Sequence, residues 1–302
     1  MERNTDLQSL MFPVELRDVY VDVPVGSDSP GRSKQMIIHE PRHRAVVNTM
    51  TNHIFSVVTD EYKLISNLDA FEIARRIFGQ LFHSTNPKEM EVFNIITSEE
   101  NSYCHIDIIH NTYRVNIWKT EIFIPFIRAT NSYNRHKTLG FDIGFVRKLC
   151  SNGIIFEGKT VKLRYLHSGR GVINYDNIVA DVNQLHNLEE LFKQYMDKIK
   201  EKMISRNIAF ATMQSVLQLK FDVQHKNPKI AQKNQERLEN FVNDFDRIYD
   251  SYKQDYGESA YTLFNTMTEY CREPRKGIIN NNQIDAMQKR SGVWLKSIGN
   301  EN

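Results

Sequence analysis

Apolar residues recur along the chain with two different periods. Up to about residue 180, apolar residues alternate with polar ones or form short runs between turn residues, as in β-strands. From Val182 they recur every three or four positions, as on one face of a helix. The pattern predicts an α+β fold: a mostly antiparallel sheet with packed helices (1–180), a long helical region (181–256), and a C-terminal helix and tail (257–302).

The N-terminal part contains segments with the composition of strands, because they are rich in β-branched and aromatic residues. The predicted strands are 19–25, 44–50, 54–66, 90–97, 103–110, 112–118, 121–133, 137–145 and 160–169. The polar stretch 26–33 predicts a loop after the first strand. A helix is predicted over 68–82, with Asn67 as its N-cap.

In the C-terminal part, helical spacing is clearest over 238–252 and is also present over 188–199. The polar stretch around Pro228 is interpreted as a connection between two helical blocks. Gly257 is expected to end the second block, and a further helix is predicted over 258–271.

The overall composition describes a globular chain without an obvious cofactor. Hydrophobic residues make up 40% and charged residues 25% of the 302 residues, which is sufficient for a large core. No run of about 18 apolar residues occurs, and charges stand where a signal peptide needs apolar residues. Three widely spaced cysteines without a CxxC pair predict neither disulfides nor a zinc site. We expect a protein without membrane contact, metal or cofactor, in the cytoplasm.

One segment is strongly basic although the whole chain has a net charge of only +2. Between Arg128 and Arg170 there are nine Lys or Arg and two acids, a local net charge of +7. Aromatic residues are interleaved with these cations, a combination that binds phosphates while stacking bases. The alternative is that Phe141, Phe145 and Phe156 fill the core while the cations form a solvated face.

The nucleic-acid hypothesis assigns roles to particular side chains of this segment. The expected phosphate contacts are Arg135, Lys137, Arg147, Lys148 and Arg164. The expected base-stacking residues are Tyr133 and Tyr165. The same residues would serve if the partner were a protein.

Segment 131–156 is interpreted as a structural corner that displays cations. Asn131 and Ser132 can bond local backbone in one turn, and Asn152-Gly153 can form another. If Val146 and Leu149 are buried, Arg147 and Lys148 point outward. Cys150 would then fill space beside the core.

An enzymatic alternative rests on three side chains. His105 and Asp107 share one face of a predicted strand, from which Cys104 points away. Cys150 follows two cations that could lower its thiol pKa. No phosphate-binding loop, dinucleotide fingerprint, HExxH or GxSxG motif occurs, so we assign no catalytic residue and favour a non-enzymatic role.

Four segments carry a family resemblance in the same order along nearly the whole chain. They are VTDEYKLISNLDAFEI (58–73), NSYNRHKTLGFDIGFVRKLCSNGIIF (131–156), YTLFNTMTEYCREPRKG (261–277) and SGVWLKS (291–297). They resemble the phage/plasmid-like family known as domain of unknown function 932. Leu149 and Gly153 depart from its pattern, which indicates a distant branch. The resemblance implies carriage by a phage, prophage or plasmid in a bacterial host, and it implies no established activity.

Three hypotheses follow. The first is a non-enzymatic accessory protein of a mobile element that binds nucleic acid, with single-stranded DNA as the expected ligand, and forms a homo-oligomer. The second is a phage protein that binds and inhibits a host defence complex. The third is an enzyme that uses His105 and Asp107, or Cys150.

Overall fold

The structure is a computed structural model that describes residues 7–29, 32–83, 86–98, 100–118, 121–147, 153–155, 164–165, 167, 188–272 and 281–300. Its strands are β1 (Val14–Ser29), β2 (Arg32–Asn48), β3 (Ile54–Thr59), β4 (Met90–Thr97), β5 (Tyr103–His110), β6 (Val115–Asn116), β7 (Ile122–Ser132), β8 (Leu139–Arg147), β9 (Gly153–Ile155) and β10 (Arg164–Tyr165). Its α-helices are α1 (Leu7–Leu10), α2 (Asn67–Leu81), α3 (Leu188–Glu201), α4 (Arg206–Leu217), α5 (Pro228–Tyr256), α6 (Ala260–Tyr270) and α7 (Asn281–Gly299). A single 3-10 turn covers Pro87–Glu89.

The strands form two antiparallel sheets. The smaller sheet has the order β1-β2-β3. The larger has the order β10-β8-β7-β5-β4, with β6 paired to β7 and β9 paired to β8. The long helices α3 to α7 follow the sheets in the chain, whereas α1 and α2 belong to the N-terminal part. The predicted α+β class, a mostly antiparallel sheet with packed helices followed by a helical C-terminal region, is therefore confirmed.

The central strands of the larger sheet are covered on both faces. Every residue of β5 and β8 is buried. The face of β5 that holds Cys104, Ile106 and Ile108 contributes to the main hydrophobic core, and the alternate residues point to the opposite face. Cys104 and His105 therefore point apart, as strand alternation predicts.

The sheet and the helices share one hydrophobic core. It contains residues of α2, the larger sheet and all the long C-terminal helices. Phe145 of β8 stacks on Phe192 of α3 with ring centroids 4.1 Å apart. The helical region therefore packs on the sheet rather than projecting from it.

The hairpin of β1 and β2 is much longer than the sequence pattern predicts. The predicted loop at 26–33 is wrong, because β1 continues to Ser29 and β2 begins at Arg32. Cross-strand pairing supplies the reason, since Ser27 lies opposite Ser33 and Ser29 opposite Arg32. We call the outer part, residues 19–40, the arm, because β3 pairs only with the base of β2, at His43–Val47.

Two helix starts differ from the prediction. Ser66, not Asn67, is the N-cap of α2, and it forms a capping box with Asp69. The connection predicted over 225–234 joins two helices but ends earlier, at Asn227, because Pro228 begins α5 at its first position, where a missing N–H costs nothing. Asn227 caps this helix, and its side chain accepts from the backbone N–H of Lys229 at 3.0 Å. Gly257 ends it at φ 67°, as expected from its conformational freedom.

Candidate nucleic-acid interface

The turn between β7 and β8 is anchored by Tyr133. This residue is fully buried. The backbone N–H of Asn67, at the start of α2, donates to its hydroxyl at 2.8 Å. Its ring lies against Phe12 and Phe55, with centroids 5.7 and 5.2 Å away. Tyr133 therefore ties the smaller sheet and α2 to the turn, which corrects the expectation that it offers a ring face for base stacking.

Polar side chains fix the shape of this turn. The amide of Asn134 donates to Ser102 Oγ at 2.8 Å, and its oxygen accepts from the backbone N–H of His136 at 3.1 Å. Ser132 Oγ accepts from the backbone N–H of Lys137 at 3.3 Å, so Ser132 bonds local backbone as predicted. Asn131 instead donates to the Ile65 carbonyl at 2.9 Å and thereby joins the turn to a distant segment.

The fixed turn displays cations. Arg135 and His136 are exposed and Lys137 is half-buried. Arg135 adopts the left-handed conformation at φ 64°, an uncommon conformation for a residue with a Cβ. Neither Arg135 nor Lys137 forms an ion pair with a carboxylate in the part of the chain that the structure describes. Their charges are therefore available to a phosphate.

An aromatic pair lies close to this turn. Tyr62 stacks on His167, with centroids 5.1 Å apart and an interplanar angle of 9°. The backbone N–H of Lys63 donates to the carbonyl of His167 at 3.0 Å and holds the two segments together. Burial raises the pKa of Tyr62 to about 12, while the charge of Arg135 acts in the opposite direction.

Strand pairing brings two more of the predicted residues to this end of the larger sheet. Arg164 pairs with Gly140, and Tyr165 pairs with Leu139 at the start of β8. The turn residues Arg135 and Lys137 immediately precede that point. Four of the predicted residues therefore lie at one end of the sheet.

Arg147 is at the other end of β8, roughly 26 Å along the strand from Leu139. It is 6% exposed, and its guanidinium binds both carboxylate oxygens of Glu121 at 2.6 Å. The Tyr256 hydroxyl accepts from Arg147 Nη2 at 2.8 Å and also contacts Glu121. Tyr252 lies under the guanidinium, 5.5 Å from ring centroid to Cζ.

The prediction that Arg147 points outward is therefore wrong. The sequence places it beside Val146, and both are buried, because β8 is covered on its two faces. Burial favours the neutral form of Glu121, but hydrogen bonds from Arg147 and Tyr256 outweigh it and lower the pKa of that carboxyl. Lys148 and Cys150, with the predicted turn at Asn152, lie outside the described residues.

His105 and Asp107 belong to a second polar cluster on the larger sheet. Strand register places Asn94, Asp107, Arg128 and Asp142 in one row across four neighbouring strands. Arg128 Nε and Nη2 donate to the two oxygens of Asp107 at 2.6 and 2.7 Å. The Asn94 amide donates to Asp107 as well, at 3.1 Å.

Helix α7 completes this cluster. Arg128 Nη1 donates to Asp285 at 2.9 Å, and Lys289 Nζ lies 3.1 Å from both Asp285 and Asp142. We call Asp107, Arg128, Asp142, Asp285 and Lys289 the buried ion network. Burial disfavours an ionised Asp285, but the positive charges of protonated His105, Arg128 and Lys289 outweigh it and hold the pKa of its carboxyl well below the ordinary range.

His105 borders the buried ion network. Its Nδ1 lies 2.8 Å from Thr130 Oγ1, and the residue is 2% exposed. Burial lowers its pKa to about 4, so the imidazole is neutral at pH 7. Asp107 already accepts three hydrogen bonds from Arg128 and Asn94. Both predicted side chains are thus engaged with neighbouring strands of the larger sheet.

Sequence reasoning missed Asp285 and Lys289. A signal was present, because Asp285 lies between Ile284 and Met287, on a face that a helix would bury. Buried acids are normally paired, so an acid at such a position calls for a cation. Which cation it meets depends on strand register, which no local pattern contains.

Within the described residues, no three His, Cys, Asp or Glu side chains are grouped so that they could bind a metal ion. In the same part of the chain, no helix has the length and apolar character needed to cross a membrane.

These features define an α+β protein in which a helical region is joined through a buried ion network to a large antiparallel sheet. The chain belongs to the family described as Domain of unknown function (DUF932), which matches residues 54–294. No curated protein and no solved structure matches it.

Proposed function

We propose that the protein is an accessory protein of a phage, prophage or plasmid that binds single-stranded DNA without acting on it chemically. The binding surface is the turn 134–138 with β10 and the Tyr62–His167 pair. The observation that carries the proposal is a rigid turn that displays Arg135 and Lys137 without carboxylate partners in the described residues.

The chemistry of this surface suits a single strand better than a duplex. Proteins that bind single strands combine cations along the backbone path with aromatic rings that stack on bases. Arg135 and Lys137 supply the cations, with Arg164 at the adjacent strand position. Tyr165 is paired to the same end of the sheet, and the Tyr62–His167 pair provides aromatic rings there. Mobile elements expose single-stranded DNA when they replicate or recombine, which fits the phage or plasmid carriage that the sequence resemblance implies.

A salt titration of the affinity for a labelled oligothymidylate tests this function. Binding that weakens steeply with salt supports it, and no binding at low salt contradicts it. The variant Arg135→Asn/Lys137→Gln removes two charges, and Asn tolerates the left-handed conformation of position 135. We expect it to weaken binding and to reduce the salt slope by about 1.4, since each of the two phosphate contacts on a single strand contributes about 0.7.

The matched control removes two cations elsewhere. Lys229 and Lys233 are exposed on α5, so Lys229→Gln/Lys233→Gln changes the net charge equally. This control is expected to bind the oligonucleotide like the unmodified protein. An equal loss in both variants would attribute the binding to the overall charge and overturn the assignment to the turn.

The arm supports a second function, docking to another protein chain. On one of its faces Val21 lies opposite Ile38 and Val23 opposite Met36. Val21, Met36 and Ile38 are 47, 50 and 42% exposed. A two-stranded ribbon is marginally stable by itself, so an apolar face on such a ribbon favours a covering partner.

The mass of the purified protein in solution distinguishes the two partners proposed for the arm. A multiple of the chain mass that falls in a Val21→Glu/Ile38→Glu variant identifies a second copy. A monomer that captures one host protein in stoichiometric amount, and loses it in the same variant, identifies a host target such as a defence complex. A monomer that captures neither contradicts docking through the arm.

A further inference from the structure

A cavity of about 370 Å³ lies among α4, α5 and α7, elements that do not contribute to the proposed DNA surface. Its lining residues are Leu217, Gln218, Leu219, Lys220, Arg237, Gln283, Ala286, Met287 and Arg290. The volume falls in the range of pockets that hold small molecules. Nothing in the proposed function uses this cavity.

The charged residues that line the cavity, among those that the structure describes, all have one sign. Lys220, Arg237 and Arg290 contribute to its wall, and the lining residues that the structure describes include no carboxylate. None of these three cations forms an ion pair with a described carboxylate anywhere in the chain. Cations concentrated in a concave site with low-dielectric walls attract anions strongly.

Arg237 is held in place but retains donors. Its guanidinium lies over the ring of Phe221, with Cζ 5.6 Å from the centroid, and Nη1 donates to Asn234 Oδ1 at 2.9 Å. Its Nε–H is buried and has no acceptor among the described residues. Buried donors are normally bonded, so the protein alone leaves this guanidinium incompletely satisfied.

Arg290 is positioned by the end of α4. Its Nη1 donates to the carbonyl of Leu217 at 3.2 Å, and Gln218 then ends the helix in the left-handed conformation at φ 55°. The contact covers a C-terminal carbonyl that would otherwise repel an anion. One N–H of Arg290 is used in this way, and its planar fork has further donors for a ligand.

The uncharged residues that line the cavity indicate which class of anion it would bind. Leu217, Leu219, Ala286 and Met287 give it an apolar side, and Gln218 and Gln283 contribute amides. Two guanidiniums suit the oxygens of a phosphate, which they can bind in pairs of hydrogen bonds. We propose that this cavity binds a small phosphorylated molecule with an apolar or flat group, the chemical class of a mononucleotide.

The test uses the full chain and measures heat of binding for adenosine monophosphate, inorganic phosphate and adenosine. We expect saturable binding of the nucleotide, weaker binding of phosphate and much weaker binding of adenosine. Arg237→Gln is expected to weaken nucleotide binding at least tenfold, whereas Lys233→Gln, one turn earlier on α5 and exposed, leaves it unchanged. Absence of nucleotide binding, or equal affinity for adenosine, overturns the proposal.

A competition experiment distinguishes a free nucleotide from the 5′ end of a DNA strand as the ligand of the cavity. Short oligothymidylates with and without a 5′ phosphate compete against the bound nucleotide. We expect neither to displace it at comparable concentration, and tighter binding of the 5′-phosphorylated strand overturns the small-molecule assignment.

The pocket and the DNA surface are tested independently of each other. Arg135→Asn/Lys137→Gln should retain nucleotide binding, and Arg237→Gln should retain binding of the long oligothymidylate. If Arg237→Gln instead abolishes both while its thermal unfolding is unchanged, the cavity is part of the DNA surface and the proposal of a separate site is wrong.

Discussion

The cations of strands β7 and β8 and those of the turn between them differ in environment, although all lie within residues 128–147. Arg128 and Arg147 are 1 and 6% exposed, and each binds both oxygens of a buried carboxylate. Arg135 and Lys137 lie on the turn and have no carboxylate partner in the described residues. One basic segment thus contains two kinds of cation.

Local charge density therefore does not by itself define a binding surface. A buried guanidinium requires a partner because its desolvation costs several kcal/mol, so Arg128 and Arg147 are committed to the fold. A turn between strands remains in water, where an unpaired cation costs little. The contrast can be tested by removing charges from each group in turn.

The largest effect is expected from Arg128→Ala. The substitution leaves Asp107 and Asp285 buried without their shared cation and should lower the free energy of unfolding by about 4 kcal/mol. Urea denaturation measures it, with Arg135→Asn as a control that changes stability by less than about 0.5 kcal/mol. Similar small losses of unfolding free energy in Arg128→Ala and Arg135→Asn would contradict the distinction between buried, paired cations and exposed ones.

The second prediction concerns pH. The pKa of His105 is about 4 in the folded protein, below its ordinary value of 6.5, so the unfolded chain binds the extra proton first. The contribution of neutral His105 to the free energy of unfolding is complete above pH 6.5 and is lost as the pH falls towards 4. The loss is at most about 3 kcal/mol. Unfolding measured across this range should show a smaller loss for His105→Gln, while His136→Gln, at an exposed position, follows the unmodified protein. If the stability of the unmodified protein and of both variants changed in parallel with pH, the pH dependence could not be assigned to His105.

The third prediction tests whether Arg147 and Glu121 act as a pair. Arg147→Met and Glu121→Leu each leave one buried charge without its partner, whereas the double variant removes both charges. The double variant should therefore be more stable than the sum of the single losses predicts, with a coupling energy of about 2 kcal/mol from denaturant unfolding. Additive losses would mean that the partners contribute separately.

The smallest effect is expected from Tyr133→Phe. The change removes the acceptor for the backbone N–H of Asn67 and should cost about 1 kcal/mol in thermal or urea unfolding. Oligothymidylate affinity should not change, because the ring is fully buried. A loss of affinity at unchanged stability would mean that the Tyr133 hydroxyl contributes to DNA binding and not only to the fold.

Much of the fold follows from local sequence, and the reasons differ among elements. Strands β4 and β5 coincide with their predicted bounds because their apolar residues fit a strand and turn residues flank them. The arm does not follow its local pattern, because Gly, Ser and Asp residues continue a strand when the opposite strand pairs with them. The start of α2 differs by one residue, since both Ser66 and Asn67 can cap a helix and only Ser66 meets Asp69 in the right geometry.

Local sequence was sufficient to predict the α+β class, the helical C-terminal region, the opposite orientations of Cys104 and His105, and the stop at Gly257. These depend on periodicity, alternation and backbone freedom, which act over a few residues. Tertiary structure alone decided that Arg128 meets Asp285 and that Arg135 stays in water. Strand register and helix packing join residues far apart in the chain, and burial, which neither composition nor spacing records, then decides whether a cation stabilises the fold or remains available to a ligand.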